Sequence, residues 1–118
     1  MAKHNFKELL VWQKARQLVV ETYKITACFP DNEKYALTSQ VNRSVVSISS
    51  NIAEGAGRNT NKDFAHFLDV SLGSSYELES QLINAVDLGF AKKEHVKEVY
   101  LLLTEVQKMS VGFQKTLR

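Results

Sequence analysis

One proline, one cysteine and five glycines stand among 118 residues, and each scarcity closes off a class of protein. The lone Cys28 leaves no internal disulfide framework and fits a reducing compartment. With only Pro30 and five glycines to shape turns, neither a turn-dense sandwich or barrel nor a disordered chain is expected. Sustained period-two alternation is missing, and no Asn-Gly or Asp-Gly turn joins two apolar runs, so strands are not expected. No apolar run approaches membrane-spanning length, and Met1-Ala-Lys-His-Asn5 lacks the apolar centre of a signal peptide. The expectation is a cytoplasmic protein with no membrane association. Neither sign of charge dominates. Fifteen Lys and Arg against thirteen Asp and Glu leave +2, which does not by itself mark a nucleic-acid binder.

What the chain has is helical periodicity. From about Phe6 to Ala27, Trp12, Ala15, Val19, Tyr23 and Thr26 recur at steps of three and four. Val11, Leu18 and Ile25 form a second apolar row beside them. Pro30 ends this segment and biases Phe29 away from helical angles. From about Glu33 to Ala56, Leu37, Val41, Val45, Ile48 and Ile52 make one stripe among serines and asparagines. Those residues are indifferent helix formers, so the stripe alone decides for helix. Gly55 and Gly57 are expected to stop it. From about Asn61 to Leu88, a Thr60–Asp63 capping box precedes an apolar face of Phe64, Phe67, Leu68, Ser71, Ser75, Leu78, Leu82 and Ala85. Gly89 then Phe90 reads as a left-handed C-cap with its apolar partner. From about Lys93 to Thr116, the stripe is Val96, Val99, Tyr100, Leu103, Val106, Ser110, Phe113 and Leu117. Four such helices joined by short loops predict an all-α, single-domain, antiparallel up-down-up-down four-helix bundle.

Apolar residues remain after each core stripe is filled: Val11, Leu18 and Ile25; Val70, Leu72, Ile83 and Val86; Leu102 and Met109. Contiguous exposed patches of this kind mark interfaces, so a homo-oligomer is expected.

Residues for chemistry are sparse. A di-iron bundle needs Glu-x-x-His on two helices and two further carboxylates. The chain offers one Asp-x-x-His, Asp63 with His66, so no metal site is expected. The serines lack a nucleophile elbow or a Ser-x-x-Lys pair, and no phosphate-binding glycine loop is present. Cys28 reads as a small, buried or half-buried apolar residue, and His4, His66 and His95 as surface or capping residues. No catalytic residue and no cofactor is expected. The polar stretch Gln40–Arg58 faces Ser71, Gly73, Ser74 and Glu77. Gly73 in mid-helix suggests close packing. A structural network of Arg43 with Glu77, and of Asn51 or Glu54 tying down the loop before the third helix, is the expected reading, with a ligand or nucleic-acid contact as the alternative. Lys14, Arg16, Lys24, Arg58, Lys62, Lys92 and Lys93 are the candidate phosphate contacts. Repeated around a ring they would act multivalently.

Phe6-Lys-Glu-Leu-Leu-Val-Trp-Gln-Lys-Ala15, Phe29-Pro30, Glu33-x-Tyr-x-Leu-Thr-Ser-Gln40 and Arg43-Ser-Val-Val-Ser-Ile-Ser-Ser-Asn-Ile-Ala-Glu-Gly-Ala-Gly-Arg58 resemble the four-helix bundle proteins named for 23S rRNA intervening sequences. Phe64, Phe67-Leu68, Gly73-Ser74, Glu77-Leu-Glu-Ser-Gln-Leu82 and Leu88-Gly89 continue the likeness over nearly the whole chain. The resemblance implies a homopentameric, barrel-like ring. It also implies kinship with the accessory protein of diversity-generating retroelements, which binds a reverse transcriptase and nucleic acid. It brings no catalytic residues. The near-neutral charge departs from that more basic accessory protein. The functional expectation is therefore a non-enzymatic pentameric scaffold for RNA, DNA or a protein that handles them, such as a reverse transcriptase. A protein-only adaptor ring is the alternative.

Overall fold

The structure, a computed structural model, describes residues 4–118. Four long helices carry the chain: α1 (Leu10–Thr26), α2 (Leu37–Ala56), α3 (Asn61–Asp87) and α4 (Lys93–Leu117). They run up-down-up-down in a bundle 47 Å long and 25 by 20 Å across. α1 packs on α2 and α4, and α3 packs on α2 and α4. The α2–α3 turn shares one end of the bundle with both termini. The α1–α2 and α3–α4 connections share the other.

The stripes become the core. Val41, Val45, Ile48 and Ile52 of α2 are fully buried, as are Leu68, Leu78 and Leu82 of α3. Val96, Val99, Leu103 and Val106 close it from α4. In α1 the core takes residues from both apolar rows, with Ala15 and Thr26 of the expected row buried as expected. Val11, Leu18 and Ile25, expected as surplus, are buried beside Ala15 and Thr22, while Tyr23 is exposed and Trp12 and Val19 are half-buried. Adjacent rows on a helix differ by only about 100°, and packing between α2 and α4 selects the Leu18 row. Leu72, also expected as surplus, is buried too. Gln114, absent from the expected stripe, is buried and donates from Nε2 to the Ala65 carbonyl and to the Asp69 carboxylate.

The helix ends follow local chemistry. Phe6–Glu8 form a separate 3-10 turn, with Asn5 Oδ1 accepting from the Lys7 N–H, so α1 opens at Leu10 instead of Phe6. α2 opens at Leu37 instead of Glu33. Residues Asp31–Glu33 make a 3-10 turn after Pro30, and the Glu33 carboxylate accepts the Leu37 N–H from outside the helix. Thr60 Oγ1 accepts from the Asp63 N–H at the start of α3. At its end Gly89 takes φ +80°, with the Gly89 N–H on the Val86 carbonyl and the Phe90 N–H on that of Ala85. This is a Schellman cap. Phe90 packs on the core with its ring 6.0 Å from that of Phe29. At the opposite end His4 is half-buried, its ring against Phe64 and Phe113 and its N–H on the Ala56 carbonyl.

Gly57 caps α2 as expected, but two other glycines depart from their expected roles. Gly55 lies inside α2 and is buried. A Cβ there would stand 2.7 Å from Phe67 Cβ and 2.8 Å from Phe64 Cδ1, so Gly55 serves close approach rather than termination. Gly73 has nothing within 4 Å of its Cβ direction and faces solvent. It lies on the side of α3 away from the core, and no neighbour in the chain requires it. Gly55→Ala should therefore destabilise the fold by roughly 1–3 kcal/mol through overpacking. Gly73→Ala should stabilise it by up to about 1 kcal/mol through helix propensity. Urea denaturation of the two variants checks both signs.

Candidate interaction surfaces

The serine-rich side of α2 meets the serine-rich side of α3 at close range, and the hydroxyls settle most of one another's needs. Ser71 Oγ donates to the Ile48 carbonyl at 2.9 Å. Ser47 Oγ and Ser74 Oγ share a hydrogen bond at 2.8 Å. Asn51 Nδ2 donates to both the carbonyl and the Oγ of Ser47, one turn back in its own helix. These bonds satisfy groups that burial would otherwise leave costly.

The expected polar network divides differently. Asn51 joins this seam and does not reach the loop. Glu54 does bind Arg58 at the loop's start, Oε2 to Nη2 at 2.9 Å, and the Arg58 guanidinium lies 4.6 Å from the Phe67 ring centroid. Arg43 and Glu77 are both exposed, and among the described residues no ion pair joins them. They line one shallow polar groove between α2 and α3 with Ser44, Ser47, Ser74 and Gln81. Short serine contacts already fill the space between the helices, so two longer charged side chains are left at its solvent edge.

The seven candidate phosphate contacts do not form one patch. Lys14, Arg16 and Lys24 lie along α1, Arg58 and Lys62 at the α2–α3 end, and Lys92 and Lys93 at the opposite end. Three have acidic partners: Lys14 with Glu105 at 3.4 Å, Lys24 with Glu21 at 3.0 Å, and Arg58 with Glu54. Arg16 lies over Trp12. Lys62 lines a small groove with His66, Asp69 and Arg118.

Three larger grooves also mark the surface of the described residues. One between α1 and α4 carries Arg16, Val20, Glu21, Glu98 and Leu102. One between α3 and α4 is more apolar, with Ile83, Val86, Val96, Tyr100 and Leu101 between charged residues of both signs. Burial there pushes the Tyr100 phenol above its ordinary range, and the carboxylates of Glu79 and Asp87 push it the same way. The third lies between the end of α1 and the start of α2. Tyr23, Lys34, Tyr35, Asn42 and Arg43 line it. Sequence reasoning missed Tyr35 and Lys34 as surface features, because Leu37 was placed a full turn inside α2. It also took Tyr23 for core. Cys28, expected to be buried or half-buried, is exposed. Among the described residues no group of three or more His, Cys, Asp or Glu side chains is placed to hold a metal ion. No helix there is long and apolar enough to cross a membrane.

A family model described as 23S rRNA-intervening sequence protein matches residues 7–112. No curated protein matches the chain. Among solved structures, a protein of unknown function from the S23 ribosomal protein family of Bacteroides thetaiotaomicron VPI-5482 superposes with a TM-score of 0.80. It is 23% identical, and the match covers 90% of this chain and 99% of that one. At that identity the likeness establishes the shared bundle and nothing about ligands.

With Arg43 at the edge of the seam and Ser71 inside it, their truncations should separate. Arg43→Ala should change stability by less than about 0.5 kcal/mol, as an exposed substitution does. Ser71→Ala should cost on the order of 1 kcal/mol by leaving its hydrogen bond unmade. Thermal and chemical denaturation of each variant reads the difference.

Proposed function

The chain belongs to the family of 23S rRNA-intervening sequence proteins, and from that premise we propose that it is a non-enzymatic scaffold assembled from copies of itself, a closed ring of five by the family resemblance. The observation that carries this reading is the outer face of α3 and α4. Ile83 is 49% and Leu101 55% exposed, and they flank the half-buried Val86 and Tyr100. An apolar strip of this kind is costly to leave in water. Asp87 and Glu94 on its border alternate with Lys93 and Lys97, so a partner surface of balanced charge fits it. A second copy of a chain with net charge +2 supplies such a surface. A ring needs two different faces on each copy, and this groove provides one of them.

The ring would repeat each basic residue five times, so weak phosphate contacts at Arg58 and Lys62 would add through avidity. The adaptor reading, a ring that docks protein alone, draws support from the internal ion pairs of Lys14, Lys24 and Arg58. These pairs occupy cations that phosphate would otherwise recruit.

Sedimentation equilibrium tests the assembly. The double variant Ile83→Glu, Leu101→Glu should sediment at the 13.4 kDa of one chain with unchanged helical circular dichroism, while the native protein is several times heavier. A native protein at the single-chain mass, or a double variant at the native mass, would overturn the reading. Arg58→Ala with Lys62→Ala should weaken structured-RNA binding and flatten its salt dependence without changing assembly. Native RNA affinity in that variant would favour the adaptor.

A further inference from the structure

We propose that the groove between α1 and α2 binds single-stranded nucleic acid by stacking bases on its tyrosines and holding phosphate with its cations. The site is complete within one chain and so stands apart from the ring reading.

The groove is an open cleft of about 790 Å³. Its wall has two cations, Lys34 and Arg43, two tyrosines, Tyr23 and Tyr35, and the short polar side chains of Thr38, Ser39, Asn42 and Ser47, with Val46 as its one aliphatic residue. It contains no carboxylate. Each of the other four grooves described above has at least one: Glu21 and Glu98, Asp87 and Glu94, Glu77, or Asp69. On a chain whose charges nearly cancel, this groove presents cations with no acid in its own wall, although Arg43 also borders the adjoining groove that holds Glu77.

The cations are available. Among the described residues neither Lys34 nor Arg43 has an acidic partner within ion-pair distance. The nearby Glu33 carboxylate is turned to the Leu37 N–H, and Glu77 lies in the adjoining groove. The tyrosines are available as well. Tyr35 is 89% exposed in the turn before α2, with Lys34 Nζ 5.4 Å from its ring centroid, and Tyr23 is 45% exposed on α1. An exposed aromatic ring beside cations is the arrangement that takes unstacked bases, whose flat faces accept an aromatic partner in any sequence. Thr26 Oγ1 donates to Asn42 Oδ1, which leaves the Asn42 amide hydrogens for a base edge or a sugar hydroxyl. A protein is the competing occupant, since tyrosine and arginine are also common at protein interfaces; two cations in a wall without a carboxylate favour a polyanion. Duplex is also disfavoured, because its bases are already stacked and offer no free face.

Fluorescence anisotropy with a labelled uridine-rich RNA strand of about 12 nucleotides, within the range of single-strand sites, tests the proposal. The same strand as DNA and as duplex forms the comparison set. The native protein should bind both single strands more tightly than the duplex. Tyr35→Ala should weaken single-strand binding by roughly ten-fold, the effect of losing one stacked base, while Tyr35→Phe retains it. Arg43→Gln should lower the slope of log affinity against log salt by about 0.7, the value for one phosphate on a single strand. Equal binding of duplex and single strand, or native affinity in Tyr35→Ala, would overturn the proposal. So would a fall in solution mass on Tyr35→Ala, which would make the groove a contact between subunits. The Arg58 and Lys62 variant leaves this groove intact, so its outcome is independent.

Discussion

The backbone of α2 lies against the ring of Phe64 and the Cβ of Phe67 because Gly55 has no side chain to hold them off. From that contact, serines carry the close approach along the helix pair. Ser71 reaches the Ile48 carbonyl, and Ser47 meets Ser74. Small hydroxyl side chains let two helices come near and also satisfy the polar groups that nearness would strand. The remaining packing follows. Once α2 and α3 are set, their aliphatic stripes form half of the core, and α1 and α4 close it with Leu18, Val99 and Leu103.

This arrangement decides what is left for the surface. The serines and Asn51 are used between the helices, so Arg43 and Glu77 stand outside the seam as separate exposed charges. The outer face of α3 and α4 keeps Ile83 and Leu101 in water, and the α1–α2 side keeps Tyr23 and Tyr35. The two faces differ in chemistry. The first is apolar with charges of both signs at its border, and the second is aromatic and cationic. They lie on different sides of the bundle, and the groove proposed for self-association shares no lining residue with the groove proposed for a strand.

The fold was legible because its main signals are local. The α2 stripe, the Thr60 cap and the Gly89–Phe90 cap each depend on residues within a turn or two, and all three occur where the spacing places them. The azimuth of a helix is a different kind of quantity. Whether Leu18 or Val19 faces inward depends on where α2 and α4 sit, and the spacing within α1 does not contain that. The same limit explains the two glycines. Gly55 and Gly73 are alike as letters, and only the position of α3 relative to α2 makes one indispensable and the other open to solvent. The interaction surfaces were least legible. Arg43 stands opposite Glu77 in the pattern as half of a buried pair, but among the described residues no ion pair joins them. Tyr35 was hidden by a helix start placed one turn early.

If the serine and glycine seam holds the bundle, α2 should be far more stable in place than its composition allows, since serine and asparagine are weak helix formers. Hydrogen–deuterium exchange of the native protein, resolved by peptide, tests this directly. The seam account predicts that the amides of the Val45–Ile52 stretch are among the slowest in the chain and match the centre of α3, exchanging only when the whole bundle opens. Exchange in that stretch as fast as in the turn at Asp31–Glu33 would contradict it, and would place the stabilising contacts of the fold elsewhere.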